Sequence, residues 1–308
     1  MMTFYTYNKG YTPASEWTPK CWVNVECPTE DDRNFLLYDL NVPESFLNDI
    51  DDTDERPRIE EEDGWYLIIL RAPYRPTDNS LMYATIPLGI IIYGDICITV
   101  CNHQTEVIPD FINYSNRKQV VVNNPYDLVM RLLLSTSVWY LKYLKQINIQ
   151  MKTVEGELQH SVRNKDLQSL QKIENCLVFF ITSLKGNEVL FFKLKHQKAL
   201  KDFYDEELIE DVDIELKQAQ ETTSIHRNIL NSMMNVYASV ISNNLNSTMK
   251  QLTSISIIIM LPTLVASLYG MNVPNFLENN PNGLFYIISG SMLLSAAGIY
   301  AFKRKNFF

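Results

Sequence analysis

One row of positions, spaced alternately three and four residues apart, reads Asn235, Ser239, Ser242, Asn246, Met249, Thr253, Ser256, Met260, Thr263, Ser267 and Gly270. On a helix that spacing draws a single line, and every member except Met249 and Met260 is small or polar. Hydroxyl and amide oxygens in a line can solvate a cation or its water shell without any ionised ligand. The later part of the row falls in an apolar, charge-free stretch. There, hydroxyls and amides avoid lipid and must face another helix or water. Close helix packing is one reading, because small residues let backbones approach. A water-filled path is favoured over it, because the row starts well before the apolar stretch, reaches its far end, and includes Asn, which close approach does not need. Met249 and Met260, with Leu252 beside the row, would then form apolar constrictions that gate by dewetting.

The elements that must position this row are legible from charge. Between Gln251 and Phe302 the only ionisable acid or base is Glu278, and the stretch divides at the Pro/Asn/Gly-rich segment Val273 to Gly283. Each half has about the twenty residues a helix needs to cross a hydrocarbon core. The expected organisation is a first membrane helix at 252–272, an external loop at 273–283 carrying Glu278, a second helix at 284–302 and a basic tail at 303–308. Lys250, Lys303, Arg304 and Lys305 flank the spans while the loop carries no base, so both termini are expected in the cytoplasm. A stalk helix at 208–251 precedes the first span, with apolar Ile209, Val212, Leu216, Ala219, Leu230, Met233, Tyr237 and Val240 at packing intervals. No proline or glycine separates Asp211 from Leu261, which predicts one helix of roughly 60 residues, about 90 Å long, running from stalk into membrane. Two spans cannot enclose a pore. Several copies around an axis can, with the second span packed outside through Gly290, Ser291, Ser295 and Gly298.

Upstream, residues 1–124 mix β-like runs (Cys21–Val25, Trp65–Leu70, Ile86–Tyr93, Ile96–Cys101) with helix-like ones near Asp31–Tyr38 and Pro43–Ile50, which predicts an α/β domain. Residues 125–207 read as helical, with breaks near Asn164 and at Gly186-Asn187. The fold class is therefore α+β. The net charge of -9 and the lack of any basic stripe exclude a nucleic-acid partner. The five cysteines contain no CxxC pair and read as reduced thiols, and the N-terminus has no signal-peptide pattern, so the α/β domain is expected in the cytosol. The four histidines are scattered, and phosphate-loop, HExxH and GxSxG motifs are absent. Nothing supports an enzyme, or a membrane-anchored sensor, over a cation path.

The first span ends Leu268-Tyr269-Gly270-Met271-Asn272. With Pro262-Thr263 upstream, a short loop, a second span and a basic tail, it resembles the signature of the CorA-type divalent cation transporters. The segment Glu55-Arg-Pro-Arg-Ile-Glu60 and the long helix are similar too, so the resemblance covers most of the chain from about Val23. It implies a homopentameric funnel in a plasma or inner membrane, carrying Mg²⁺, with Co²⁺, Ni²⁺ or Zn²⁺ as alternative cargo. Asn272 would present a ring of amide carbonyls to the hydrated ion, with Gly270 and Met271 holding the turn. Because Mg²⁺ dehydrates reluctantly, neutral oxygens bonding its water shell can select it. Family pore positions fall on Asn246, Leu252, Met260 and Thr263. The resemblance also implies regulatory Mg²⁺ between cytosolic domains, at acids matching Asp211 and Asp49. Asn48 stands where relatives often carry a further acid. The near absence of His and Cys from the spans disfavours a pore that ligates zinc directly.

Overall fold

The computed structural model describes the chain apart from position 8 and residues 78–80, 161–163, 198–204, 272–280 and 305–308. It divides into two compact units, Met1–Met233 and Met234–Phe308.

The first unit is built on a seven-stranded sheet of order β2-β1-β3-β7-β6-β5-β4. Its strands are β1 (Met2–Tyr7), β2 (Tyr11–Ala14), β3 (Trp22–Glu26), β4 (Arg58–Glu62), β5 (Trp65–Tyr74), β6 (Ala84–Tyr93) and β7 (Ile96–Cys101). All neighbours are antiparallel except β3 and β7, whose pairing runs Trp22 opposite Cys97 to Glu26 opposite Cys101. A parallel pair needs a long crossover, and the chain between Glu26 and Ile96 supplies it.

Side chains alternate across the sheet, so each strand feeds two cores. Val23, Val25, Trp65, Leu67, Ile69, Ile91, Ile98 and Val100 gather with Leu36, Phe46, Leu47 and Ile50. Leu36 lies on the π-turn (Phe35–Asp39) that continues α1 (Glu30–Asn34), and Phe46, Leu47 and Ile50 lie on α2 (Glu44–Asp51). Thr29 and Asp32 close a reciprocal capping box that fixes where α1 begins. On the other parity Trp22 meets Phe111 of α3 (Val107–Lys118). On that side also lie α4 (Pro125–His160) and α5 (Asn164–His196), with Tyr140 and Phe180 in edge-to-face contact. The sheet is covered on both faces, as a mixed sheet with long apolar strands requires.

The N-terminal strands β1 and β2, the edge strand β4 and helix α3 were not among the sequence expectations. β4 is hard to read locally because Glu60, Glu61 and Glu62 form an acidic run with no apolar alternation. They lie on an edge strand, where charge blocks further pairing.

One expectation is corrected. Gly186-Asn187 does not break a helix, since α5 is continuous from Asn164 to His196. Glycine is there for proximity: a Cβ on Gly186 would stand 2.7 Å from the Pro57 ring. Asn187, fully buried, works on the sheet. β4 ends its pairing opposite Ile69, so the next outward-facing peptide groups of β5, those of Arg71, have no strand partner. The Asn187 amide supplies one, accepting from Arg71 N–H at 2.8 Å and donating to Arg71 C=O at 2.9 Å. A side chain thus completes the ladder, as burial of backbone polar groups demands.

Helix α6 (Glu206–Tyr269) is continuous over 64 residues. Its last part and α7 (Gly283–Arg304) make up most of the second unit, and both are long and apolar enough to cross a membrane.

Candidate functional site

Within the second unit, α6 has two different faces. One packs on α7: Ser254 is buried, and Gly298 of α7 approaches Leu261 and Ile258 so closely that a Cβ would lie 3.6 and 3.8 Å from them. Pro262 has no N–H for the carbonyl of Ile258, and the Ser295 hydroxyl of α7 points to that oxygen at 3.4 Å. A neighbouring hydroxyl compensating a proline is how membrane helices tolerate one. Of the small residues expected to pack the second span, Ser295 and Gly298 do so within the protomer. Gly290 borders open space, and Ser291 bonds back to Ile288 of its own helix.

The other face carries the polar row. Asn235, Ser239, Ser242, Asn246, Met249, Leu252, Thr253, Ser256, Met260, Thr263, Ser267 and Gly270 are all exposed, with Met249, Leu252 and Met260 at 55%, 58% and 68%. Four of the six row hydroxyls are already committed as donors. Ser239, Thr253, Ser256 and Thr263 donate to the carbonyls of Asn235, Met249, Leu252 and Ile259 at 2.8 to 3.1 Å. With each proton turned inward, the outward lone pairs remain as acceptors. Such a surface suits a cation's water shell, whose hydrogens point outward.

Gly270 closes the last turn of α6, its N–H donating to Ala266 C=O at 2.9 Å, and Met271 follows, exposed. Asn272 and Glu278 lie outside the described residues.

The two acids of the first unit, Asp49 and Asp211, differ in setting. Asp49, on α2, is half-buried and paired with Arg58 at the start of β4, Nη2 to Oδ2 2.6 Å. The same guanidinium meets Glu60 at 3.0 Å and Glu55. Burial raises the pKa of Asp49, and Glu60 and Glu55 add to the rise, whereas Arg58 opposes it. For Arg58 burial alone would lower the pKa, but its three carboxylates outweigh it and hold the cation firmly charged. Asp49 therefore sits in a cluster that keeps excess negative charge even after Arg58 is counted.

Asp211 is exposed on α6. It lines a cavity of about 440 Å³ together with Asp110, Ser115, Arg131, Lys142 and Glu215. Arg131 is bonded to Asp127 and Lys142 to Asp110, so neither is committed to Asp211. Among the described residues no three His, Cys, Asp or Glu groups come together as a metal site. A divalent ion at Asp49 or Asp211 would need further oxygens from water or another copy, and carboxylates at a protomer surface suit that arrangement.

The profile of CorA-like Mg²⁺ transporter proteins matches residues 20–305. The chain belongs to the CorA family. Its relatives include the cobalt/magnesium transport protein CorA of Methanocaldococcus jannaschii, 24% identical over 290 residues that span 92% of this chain and 90% of the relative. The CorA protein of Thermotoga maritima is 24% identical over 265 residues, 84% of this chain and 75% of its own length. The complete structure of the CorA magnesium transporter from Methanocaldococcus jannaschii superposes with a TM-score of 0.84 at 22% identity, covering 100% of this chain and 99% of that one. The CorA fold is thus shared over the whole chain. These CorA relatives are named as transporters, not enzymes, in line with the lack of catalytic motifs.

Arg58 was not singled out in the sequence, Asn187 was noted only as a helix break, and Ser295 only as a small residue for packing the second span. Arg58 lay inside a noted segment, Glu55 to Glu60, where two arginines flanked by acids were the available signal.

Proposed function

We propose that the protein is an oligomeric channel for hydrated divalent cations, with Mg²⁺ as principal cargo and Co²⁺ as a second, as the names of its relatives suggest. The observation that carries this reading is the exposed row on α6, opposite the face that packs on α7, with four of its hydroxyls donating to the backbone and leaving their oxygens outward. Copies related by rotation, five by family resemblance, would each contribute one α6 to the wall. Both termini would face the cytoplasm, and Asn272 would line the external mouth as the filter, beside Gly270 and Met271.

Flux needs no nucleotide. A divalent ion crossing 100 mV gains about 4.6 kcal/mol, roughly three orders of magnitude in concentration. Met249, Leu252 and Met260 would form the constrictions. Mg²⁺ held between copies at Asp49 and Asp211 would bias the assembly toward a closed state, because ion occupancy relieves carboxylate repulsion in only one arrangement.

Purified protein in liposomes, with Mg²⁺, Co²⁺ and Zn²⁺ compared across a set potential, tests the reading. Potential-dependent Mg²⁺ uptake is expected. Asn272→Ala should reduce it at least about tenfold, the scale of one lost charge-assisted contact, while the oligomer survives in size-exclusion chromatography. Normal uptake by the assembled variant would remove Asn272 from the filter.

A further inference from the structure

Asp49 is not free to bind an ion. Arg58 grips it at 2.6 Å and also holds Glu60 and Glu55, so one guanidinium serves three carboxylates. The arrangement is fixed from behind. The buried guanidinium of Arg71 donates to the Thr53 and Glu55 carbonyls and to Thr85 on β6, pinning the segment that carries Glu55. Pro57, one residue before Arg58, lies against Gly186 of α5. The α2 side is held by Asn102, which donates to the Ile50 carbonyl at 3.3 Å and to Asp51 at 2.9 Å. Both partners of the pair therefore ride on anchored backbone, and Arg58 stays on Asp49 without large loss of chain entropy.

We propose that Arg58 is a built-in competitor for the regulatory divalent ion: it occupies Asp49 when the ion is scarce and sets the concentration at which the ion takes over. This rests on the reading of Asp49 as a regulatory carboxylate. Arg58 carries a single charge against three carboxylates, so it quiets the cluster without neutralising it. A divalent cation offers twice the charge at a smaller radius and can displace the guanidinium from Asp49 while Glu55 and Glu60 retain it. Ion binding and the Arg58–Asp49 pair are then mutually exclusive, and the strength of the pair is subtracted from ion affinity.

The sign of one substitution separates competition from a supporting role. If Arg58 merely props the site, Arg58→Gln weakens the response to Mg²⁺. If it competes, Arg58→Gln strengthens it. The expected result is an internal Mg²⁺ for half-inhibition of uptake in proteoliposomes about twofold to fivefold lower, the range a partly exposed ion pair is worth. A matching shift is expected in the Mg²⁺ concentration that raises the melting temperature of the full-length protein in detergent. Arg58→Lys keeps the charge but loses the fork, and should shift the same way by less; it carries the test if Arg58→Gln does not assemble. An unchanged or higher Mg²⁺ requirement in the assembled variant overturns the inference. Asp49→Asn is the control for the underlying reading. Normal Mg²⁺ inhibition in Asp49→Asn removes Asp49 from regulation. Weakened inhibition there, with no tightening in Arg58→Gln, leaves Asp49 in place and refutes only the competitor.

Discussion

Maleimide should find one fast thiol in this protein. Cys27 is exposed, while Cys21, Cys97, Cys101 and Cys176 are buried. Burial pushes Cys97 and Cys101 up to about 12 and also raises Cys176, whose thiol lies 3.1 Å from the Tyr83 carbonyl. Since the thiolate is the nucleophile, these groups are doubly protected. The native protein at pH 7 should take one label per chain and, in denaturant, all five. Two rapid labels on native protein would contradict the packing around β7. Residue chemistry of this sort was partly legible: the thiols read as reduced from their number and spacing. Which one reaches solvent depends on Cys27 lying just past the end of β3, with a left-handed backbone (φ 47), and no pattern announces that.

At the scale of elements, four of the seven strands and the long helices followed from periodicity, and the continuity of α6 as far as Leu261 followed from the lack of breakers. Gly186-Asn187 misled because a local signal for a turn was in fact a tertiary contact. The consequence is testable. Asn187→Ala strips two hydrogen bonds from the Arg71 peptide groups, leaving its N–H without a partner in the core; the Tyr140 hydroxyl still reaches the carbonyl at 3.0 Å. Unmade buried hydrogen bonds of this kind cost about 2 to 4 kcal/mol in all. Chemical denaturation followed by tryptophan fluorescence should show that loss in the first unit, with α5 helicity unchanged by circular dichroism. A drop in helicity instead would mean that Asn187 does act as a helix terminus. Pro262 is the converse case: a breaker by sequence, it sits inside α6 because Ser295 serves the carbonyl it frees.

At the scale of the whole molecule, the exposed row on α6 and the exposed apolar side chains of α7, such as Phe285, Met292, Leu293 and Tyr300, need different surroundings. Lipid suits the second set. The first calls for water or further copies, so assembly and function are one question. If Asp211 helps hold a regulatory ion, Asp211→Ala should raise the internal Mg²⁺ needed for half-inhibition about tenfold, the factor that roughly 1.4 kcal/mol represents. Patch recordings across an internal Mg²⁺ series would measure it, and unchanged sensitivity would take Asp211 out of the switch.

Two helices long and apolar enough to span a membrane, the continuous helix feeding the first and the row of hydroxyls and amides along it were all legible in the residues alone, because helical period and the cost of charge in hydrocarbon are local properties that any single chain displays. The Tyr-Gly-Met-Asn segment added the family. It took the folded chain to show which face of α6 is covered by α7, that four of the row hydroxyls donate to their own helix backbone, and that Asp49 is already held by Arg58. Those facts depend on elements far apart in the chain being brought together, α2 with β4, α5 with β5, α6 with α7, and pairwise contact of that kind leaves no period to read.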